Sequence, residues 1–289
     1  MRNQVSRVFP DFIMIGAGKV GSTSIYEFFV DHPQVCIAAQ KETYYFIPAD
    51  QREALKPWGA ITSEVEYTKQ FAHAQPDQIW GEISTNYYAY PESAALIHQA
   101  IPDVKLIAVL RNPIDRAYSS FQMRLREVGD VASFETELNH PNSPQTARGF
   151  YYKLLLPYFE RFPRQQIRVL FFDDFVKDQQ AFFDQLCAFL DIPPLPIKTQ
   201  YHGRKGGTPS SLWLHRLLST DNLLRRVGAT LLKPFLGEKH RRTIREAMLA
   251  RNIQKKQLPA ALREQLSALY RDDLRQLEQL LETDLGHWR

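Results

Sequence analysis

Asp11-Phe-Ile-Met-Ile-Gly-Ala-Gly-Lys-Val-Gly-Ser-Thr-Ser-Ile25 is the stretch on which the fold turns. Phe12 to Ile15 is a short apolar run of the kind that makes a buried parallel strand. It breaks at Gly16, and the glycines Gly16, Gly18 and Gly21 lead into Ser22, Thr23 and Ser24 and the apolar-periodic segment Ile25 to Val30. A strand, a glycine turn and a helix opened by hydroxyl residues form an anion cradle. The glycines let backbone approach closely, and the free N–H groups of the first helical turn point at the ligand. Lys19 places a positive charge in the middle. The whole loop, Gly16, Ala17, Gly18, Lys19, Val20, Gly21, Ser22, Thr23 and Ser24, is therefore a candidate site for a phosphate or sulfate group.

Three motifs overlap on it. Gly16-x-Gly18-x-x-Gly21 satisfies the dinucleotide fingerprint, which also wants an acidic residue after a second strand about 20 positions on. Val35 to Ala38 followed by Glu42 can be fitted to that role. The nucleotide P-loop fails, because Gly21 is followed by serine where that motif has lysine. The third pattern places lysine three residues after the first glycine and then Gly-Ser-Thr. It resembles the 5′-phosphosulfate loop of the sulfotransferases, G-x-P-K-x-G-T-T, with Gly18 where that family has proline. On the loop alone a sulfotransferase, a dinucleotide enzyme and a structural glycine turn all stay open.

Composition narrows the class. With 289 residues, 44% of them hydrophobic and 24% charged, the chain suits a globular α/β protein. No run approaches the roughly 18 apolar residues of a membrane span, and the polar N-terminus does not read as a signal peptide. Cys36 and Cys187 each lie in an apolar segment, so a disulfide framework is not expected and a reducing, cytoplasmic setting is. No zinc-site spacing is present, so no metal is expected. A net charge of +4 is too modest to argue for nucleic acid.

Downstream blocks extend the resemblance. Lys41-Glu42-Thr43-Tyr44-Tyr45-Phe46 is similar to the family's K-E-x-x-F-F block. In several carbohydrate-sulfating members that glutamate deprotonates the acceptor hydroxyl. Glu42 is read at the C-terminal edge of a strand beside the loop strand, where ligands bind in open α/β sheets. Residues 47–78 read as an insertion with a short helix near Glu64 to Ala74. Ile79 to Tyr87 resembles G-E-x-S-P-x-Y, with Thr85 in place of proline. Ile83 stands where many glycan-sulfating members carry a lysine that touches the acceptor. Glu82 is a possible second carboxylate, expected mainly to satisfy buried backbone donors.

Pro91 to Ala100 reads as a helix and Val104 to Leu110 as a buried strand. That strand delivers Arg111-Asn112-Pro113-Ile-Asp115-Arg116-Ala-Tyr-Ser119 to a second helix start. The block resembles the sulfotransferase 3′-phosphate motif, an arginine with a serine eight residues later, which Arg111 and Ser119 match. Arg116 is expected in an ordinary salt bridge. Two separate anion sites suit 3′-phosphoadenosine 5′-phosphosulfate (PAPS) and have no purpose in a dinucleotide enzyme. Gly149-Phe-Tyr151 begins a block similar to G-x-Y … Y-x-x-x-F-P … I-x-V-L, which adds Tyr151 to the donor-binding set. Gln179 to Leu190 reads as a core helix with Phe182, Phe183, Leu186 and Phe189 inward. Arg204, Lys205 and Gly206 match the family's mobile basic-glycine loop. Three basic helices and a long amphipathic one, Ala260 to Leu281, follow.

The resemblance covers most of the chain. It implies one domain over 1–289, an α/β fold of the P-loop nucleotide-enzyme kind with a central parallel sheet, and a helical C-terminal part from about residue 209. It implies sulfuryl transfer from PAPS, leaving PAP, to an acceptor hydroxyl, with a lean toward carbohydrate. Lys19 and Glu42 are the expected catalytic pair, with no metal required. His98 or His202 is the alternative base, as in small-molecule sulfotransferases. A nicotinamide-dependent oxidoreductase and a non-catalytic PAP-binding protein are the competing readings. The acceptor and the oligomeric state are not legible.

Overall fold

In a computed structural model, the described residues are 8–128, 133–138, 140, 143–197, 208–209, 253–254 and 257–289. Their contacts form two compact units, each discontinuous in sequence. The first lies within Met1–Arg116, Ala147–Gly203 and Ser267–Arg289, the second within Ala117–Thr146 and Arg204–Leu266.

The first unit holds a five-stranded, wholly parallel sheet with flanking helices. In chain order it begins with β1 (Phe12–Gly16), α1 (Ser22–Asp31), β2 (Val35–Ile37), α2 (Ala49–Ala54) and α3 (Glu64–Lys69). Then come β3 (Ile79–Ile83), α4 (Pro91–Ala100), β4 (Lys105–Leu110) and α5 (Pro113–Val128), whose later turns belong to the second unit. After α6 (Phe134–Leu138) and α7 (Pro144–Ala147) of the second unit follow α8 (Tyr151–Phe159), β5 (Ile167–Phe171), α9 (Phe172–Lys177) and α10 (Gln179–Leu190). The strand order is β2-β3-β1-β4-β5.

That order corrects one expectation. β2 does not neighbour the loop strand; β3 lies between them, pairing Phe12 with Gly81 on one side and Val35 with Ile79 on the other. Gly81 is required at this crossing, since a Cβ there would stand 2.1 Å from the Phe12 ring. β1 is buried along its full length, as its unbroken apolar run demands. Beneath it Phe12 meets Phe29 of α1, and Phe28 of α1 stacks on Phe183 of α10 at 3.9 Å. Phe189, expected inward, is half-buried instead; the Lys105 ammonium lies over its ring, and Cys187 takes the core position. Both cysteines are free thiols.

In the second unit Tyr118, Phe121 and Phe134 form an aromatic cluster, Arg124 pairs with Glu137, and Thr208–Pro209 runs antiparallel to Ile253–Gln254. The three basic helices expected between residues 211 and 250 lie outside the described residues. Among the described residues no helix is long and apolar enough to cross a membrane, and no cluster of three or more His, Cys, Asp or Glu side chains is set to hold a metal ion.

Candidate active site

The glycine loop leaves β1 at its C-terminal end. Gly16 has no room for a side chain: a Cβ would stand 2.7 Å from the ring of Tyr88. Gly21 is the N-cap of α1 with φ +76°, a conformation that favours glycine. It offers no capping side chain, and the first turn of α1 has no acidic residue. The positive end of the helix therefore meets neither a capping side chain nor an acid of its own first turn, which suits an anion. Gly18 differs from both. Its Cβ would come no closer than 3.9 Å to a described atom, the Thr85 Oγ1, so the position is open to a side chain at the Cβ. Gly18, Lys19, Gly21 and Ser22 are half-buried and Thr23 is exposed, forming an open rim; Gly16, Ala17, Val20 and Ser24 form the buried inner side. The Ser24 hydroxyl has no hydrogen-bond partner among the described residues. Lys19 itself takes a left-handed backbone, φ 74°.

Arg111 follows β4 and turns back onto this loop. Its Nη1 donates to the Lys19 carbonyl at 3.2 Å, and its guanidinium lies 4.9 Å from the centre of the Phe172 ring. Burial pulls its basicity below the ordinary arginine range, while the nearby Asp115 works in the opposite direction. Its carbonyl accepts the hydroxyl proton of Tyr151 at 2.8 Å. Tyr151 is fully buried, so its hydroxyl bears on Arg111 through the backbone carbonyl. Asn112 caps α5, its Oδ1 accepting from Ile114 N at 3.0 Å, and its Nδ2 reaches the Trp288 carbonyl at 3.1 Å. The Trp288 indole in turn donates to Asp173 at 2.9 Å. Arg116 is buried and hydrogen-bonds the Tyr270 side chain.

Glu42 reaches the site by a route the sequence did not show. Although β2 is the edge strand, the chain beyond it crosses over β3, and Glu42 N donates to the Ile83 carbonyl at 2.9 Å. Its backbone is left-handed, φ 62°. One carboxylate oxygen, Oε1, accepts from Thr85 Oγ1 at 2.7 Å and Lys41 Nζ at 3.2 Å; Oε2 accepts from Asn86 Nδ2 at 3.3 Å. The side chain keeps 18% exposure, enough for a substrate to reach it. Thr85 therefore touches both halves of the site, the carboxylate on one side and the space beside Gly18 on the other. Thr85 and Asn86 carry no role in the sequence reading. The one signal was Thr85 itself, standing where the pattern has proline.

Glu82, next to this cluster, is fully buried. Its Oε1 accepts from Thr43 Oγ1 at 2.5 Å, Ser84 Oγ at 2.6 Å and Tyr87 OH at 2.6 Å, and its Oε2 accepts from the Tyr67 hydroxyl. Burial raises its pKa above the ordinary glutamate value of 4.5, and the four hydroxyl donors pull it back. The donors are hydroxyls, where backbone N–H groups were expected. Ile83 is also fully buried, so its side chain cannot touch an acceptor. Ser119 is half-buried in the second unit; His98 is exposed on α4 with its ring edge-on to Phe162. Arg204, Lys205, Gly206 and His202 lie outside the described residues.

The strand order removes the dinucleotide reading. That fingerprint needs its acidic residue at the end of the strand adjoining the glycine loop strand, and here β3 occupies that place. Comparisons with known proteins agree. A family model described as "Sulfotransferase family" matches residues 10–196. The bifunctional heparan sulfate N-deacetylase/N-sulfotransferase 1 of Caenorhabditis briggsae is 26% identical over 211 residues, 66% of this chain and 23% of that protein. The human heparan sulfate glucosamine 3-O-sulfotransferase 6 is 30% identical over 128 residues, 44% of this chain and 34% of that protein. The chain thus spans well under half the length of either relative. A crystal structure of a sulfotransferase from Alicyclobacillus acidocaldarius, 24% identical, superposes with a TM-score of 0.71 over 98% of this chain and 100% of that one, which shows a common fold. From the glycine loop through the last strand and helix of its sheet, this chain belongs to the sulfotransferase family.

Proposed function

We propose that the protein transfers the sulfuryl group of PAPS to a hydroxyl of a carbohydrate acceptor, with Glu42 as general base and Lys19 beside the leaving group. The observation that carries this is the Thr85 hydroxyl, which donates to the Glu42 carboxylate at 2.7 Å and lies 3.9 Å from where a side chain on Gly18 of the glycine loop would begin. In the reaction the acceptor oxygen forms a bond to sulfur while the bond from sulfur to the 5′-phosphate oxygen breaks. The acceptor proton goes to Glu42, and the electron pair of the broken bond stays on the phosphate. The Lys19 ammonium and the N–H groups opening α1 then face the developing negative charge. Arg111 supplies the second anion contact. As in phosphoryl transfer, most of the acceleration comes from positioning and charge stabilisation.

Two features support a sugar acceptor. The relatives include enzymes named for heparan sulfate, a polysaccharide. Gln40 Nε2 donates to the carbonyls of both Glu42, at 3.2 Å, and Gly59, at 2.6 Å, which ties the 73% exposed Trp58 to the base by one side chain. An exposed indole face suits the apolar face of a sugar ring. The buried Ile83 speaks against copying the heparan contact of the glycan-sulfating members. Transfer of radiolabel from ³⁵S-PAPS to heparosan oligosaccharides, simple glycosides and a tyrosine peptide tests the reading. Label on sugar hydroxyls is expected; label confined to the peptide would overturn the acceptor class.

A further inference from the structure

We infer that Thr85 is a positioning residue for the base: its hydroxyl anchors one oxygen of Glu42 so that the other is presented to the acceptor. This rests on the reading of Glu42 as the base. The geometry begins with the backbone. Glu42 N is tied to the Ile83 carbonyl at 2.9 Å, Thr43 N to Ser84 Oγ at 2.9 Å, and Ser84 N to the Met14 carbonyl at 3.0 Å. The two segments that carry Glu42 and Thr85 are therefore pinned to each other and to β1, leaving only side-chain rotation to decide where the carboxylate points.

Three donors then act on that carboxylate, and they are not equivalent. Lys41 is 25% exposed, and a solvated ammonium on a long flexible stem holds an oxygen weakly. Asn86 is the longest contact, at 3.3 Å, and it also hydrogen-bonds Tyr44. Thr85 is 4% exposed, β-branched, and gives the shortest contact, 2.7 Å. A buried hydroxyl on a stiff side chain, donating to a charged acceptor, is the strongest of the three. It occupies Oε1 together with Lys41 and leaves Oε2 with the capacity to take a proton. Proline, which the family pattern has here, has no hydroxyl to give; this chain adds a donor. Among the described residues, Lys41 pairs with Glu42, and Glu42 acts on Tyr44 together with Arg148 and Tyr90.

The test compares Thr85→Val, Thr85→Ser and Glu42→Gln in the full chain. PAP release from PAPS is measured with heparosan oligosaccharide, or with water where that is not accepted, alongside PAP affinity by calorimetry. Thr85→Val should lower kcat roughly ten- to hundredfold, the effect of losing a hydrogen bond to a charged group, with PAP affinity unchanged. Thr85→Ser, which keeps the hydroxyl, should restore kcat. Wild-type kcat in Thr85→Val, or equal damage in Thr85→Ser, would overturn the inference while an inactive Glu42→Gln leaves the base in place. An active Glu42→Gln removes the base and this inference with it.

Discussion

Glu42 and Glu82 stand on adjoining segments, joined through the Thr43 N to Ser84 Oγ hydrogen bond, yet the protein treats the two carboxylates in opposite ways. Glu82 is sealed from solvent and saturated by four hydroxyls drawn from α3, the chain after β2 and the turn after β3. Glu42 keeps access to solvent, takes three unequal donors and carries a left-handed backbone. The first arrangement rigidifies; the second leaves an oxygen able to accept a proton. A buried, fully satisfied carboxylate can hold a site together, but it has no lone pair within reach of a substrate.

Exchanging the charge of each acid should break the comparison most sharply at Glu42. Glu42→Gln should cost about a thousandfold or more in kcat, since general bases contribute roughly 10²–10⁴-fold, while thermal stability stays within about 0.5 kcal/mol. Steady-state kinetics beside a melting curve reads both. Glu82→Ala should show the reverse emphasis. It leaves four buried hydroxyls without their common acceptor and opens a cavity, so a loss of about 3 kcal/mol or more in denaturant unfolding is expected. An unfolding midpoint equal to that of the wild type would show that the hydroxyl cage is not structural.

The smallest effect sharpens the difference through pH. Burial raises the Glu82 pKa in the folded state above 4.5, so the folded protein binds a proton there more readily than the unfolded chain. Its contribution is complete below the unfolded value and is lost as pH rises through the folded one. Glu82→Gln has no such proton. Relative to wild type it should gain stability as pH climbs from 4.5 through the raised folded value, with a slope of at most about 1.4 kcal/mol for each step of one in pH. Parallel unfolding curves for the two proteins at several pH values make the check; a constant difference would mean that Glu82 binds its proton equally well folded and unfolded.

What could be read in the sequence was whatever the backbone itself decides. The glycines and Lys19 mark the loop because close approach and a helix start require them, and Arg111-Asn112-Pro113 marks a strand end meeting a helix. Strand order was not legible. Val35–Ile37 is three residues long, and nothing local says that Ile79–Ile83 intervenes between it and β1. Glu42 reached the right edge for a different reason, a backbone hydrogen bond to Ile83. The hydroxyl cage of Glu82 was equally hidden, because Thr43 and Tyr67 come from segments 39 and 15 residues away. Thr85 was visible only as a departure from a pattern, and its partner became visible only in three dimensions.

The donor site is the claim on which the rest depends, and calorimetric titration with PAP, with NAD(P) in parallel, tests it most directly. Micromolar PAP binding is expected, weakened at least tenfold by Arg111→Ala and unchanged by Glu42→Gln, with no heat from NAD(P). Binding of NAD(P) without PAP, or PAP binding indifferent to Arg111, would contradict the assignment of the glycine loop and Arg111 to a phosphosulfate donor.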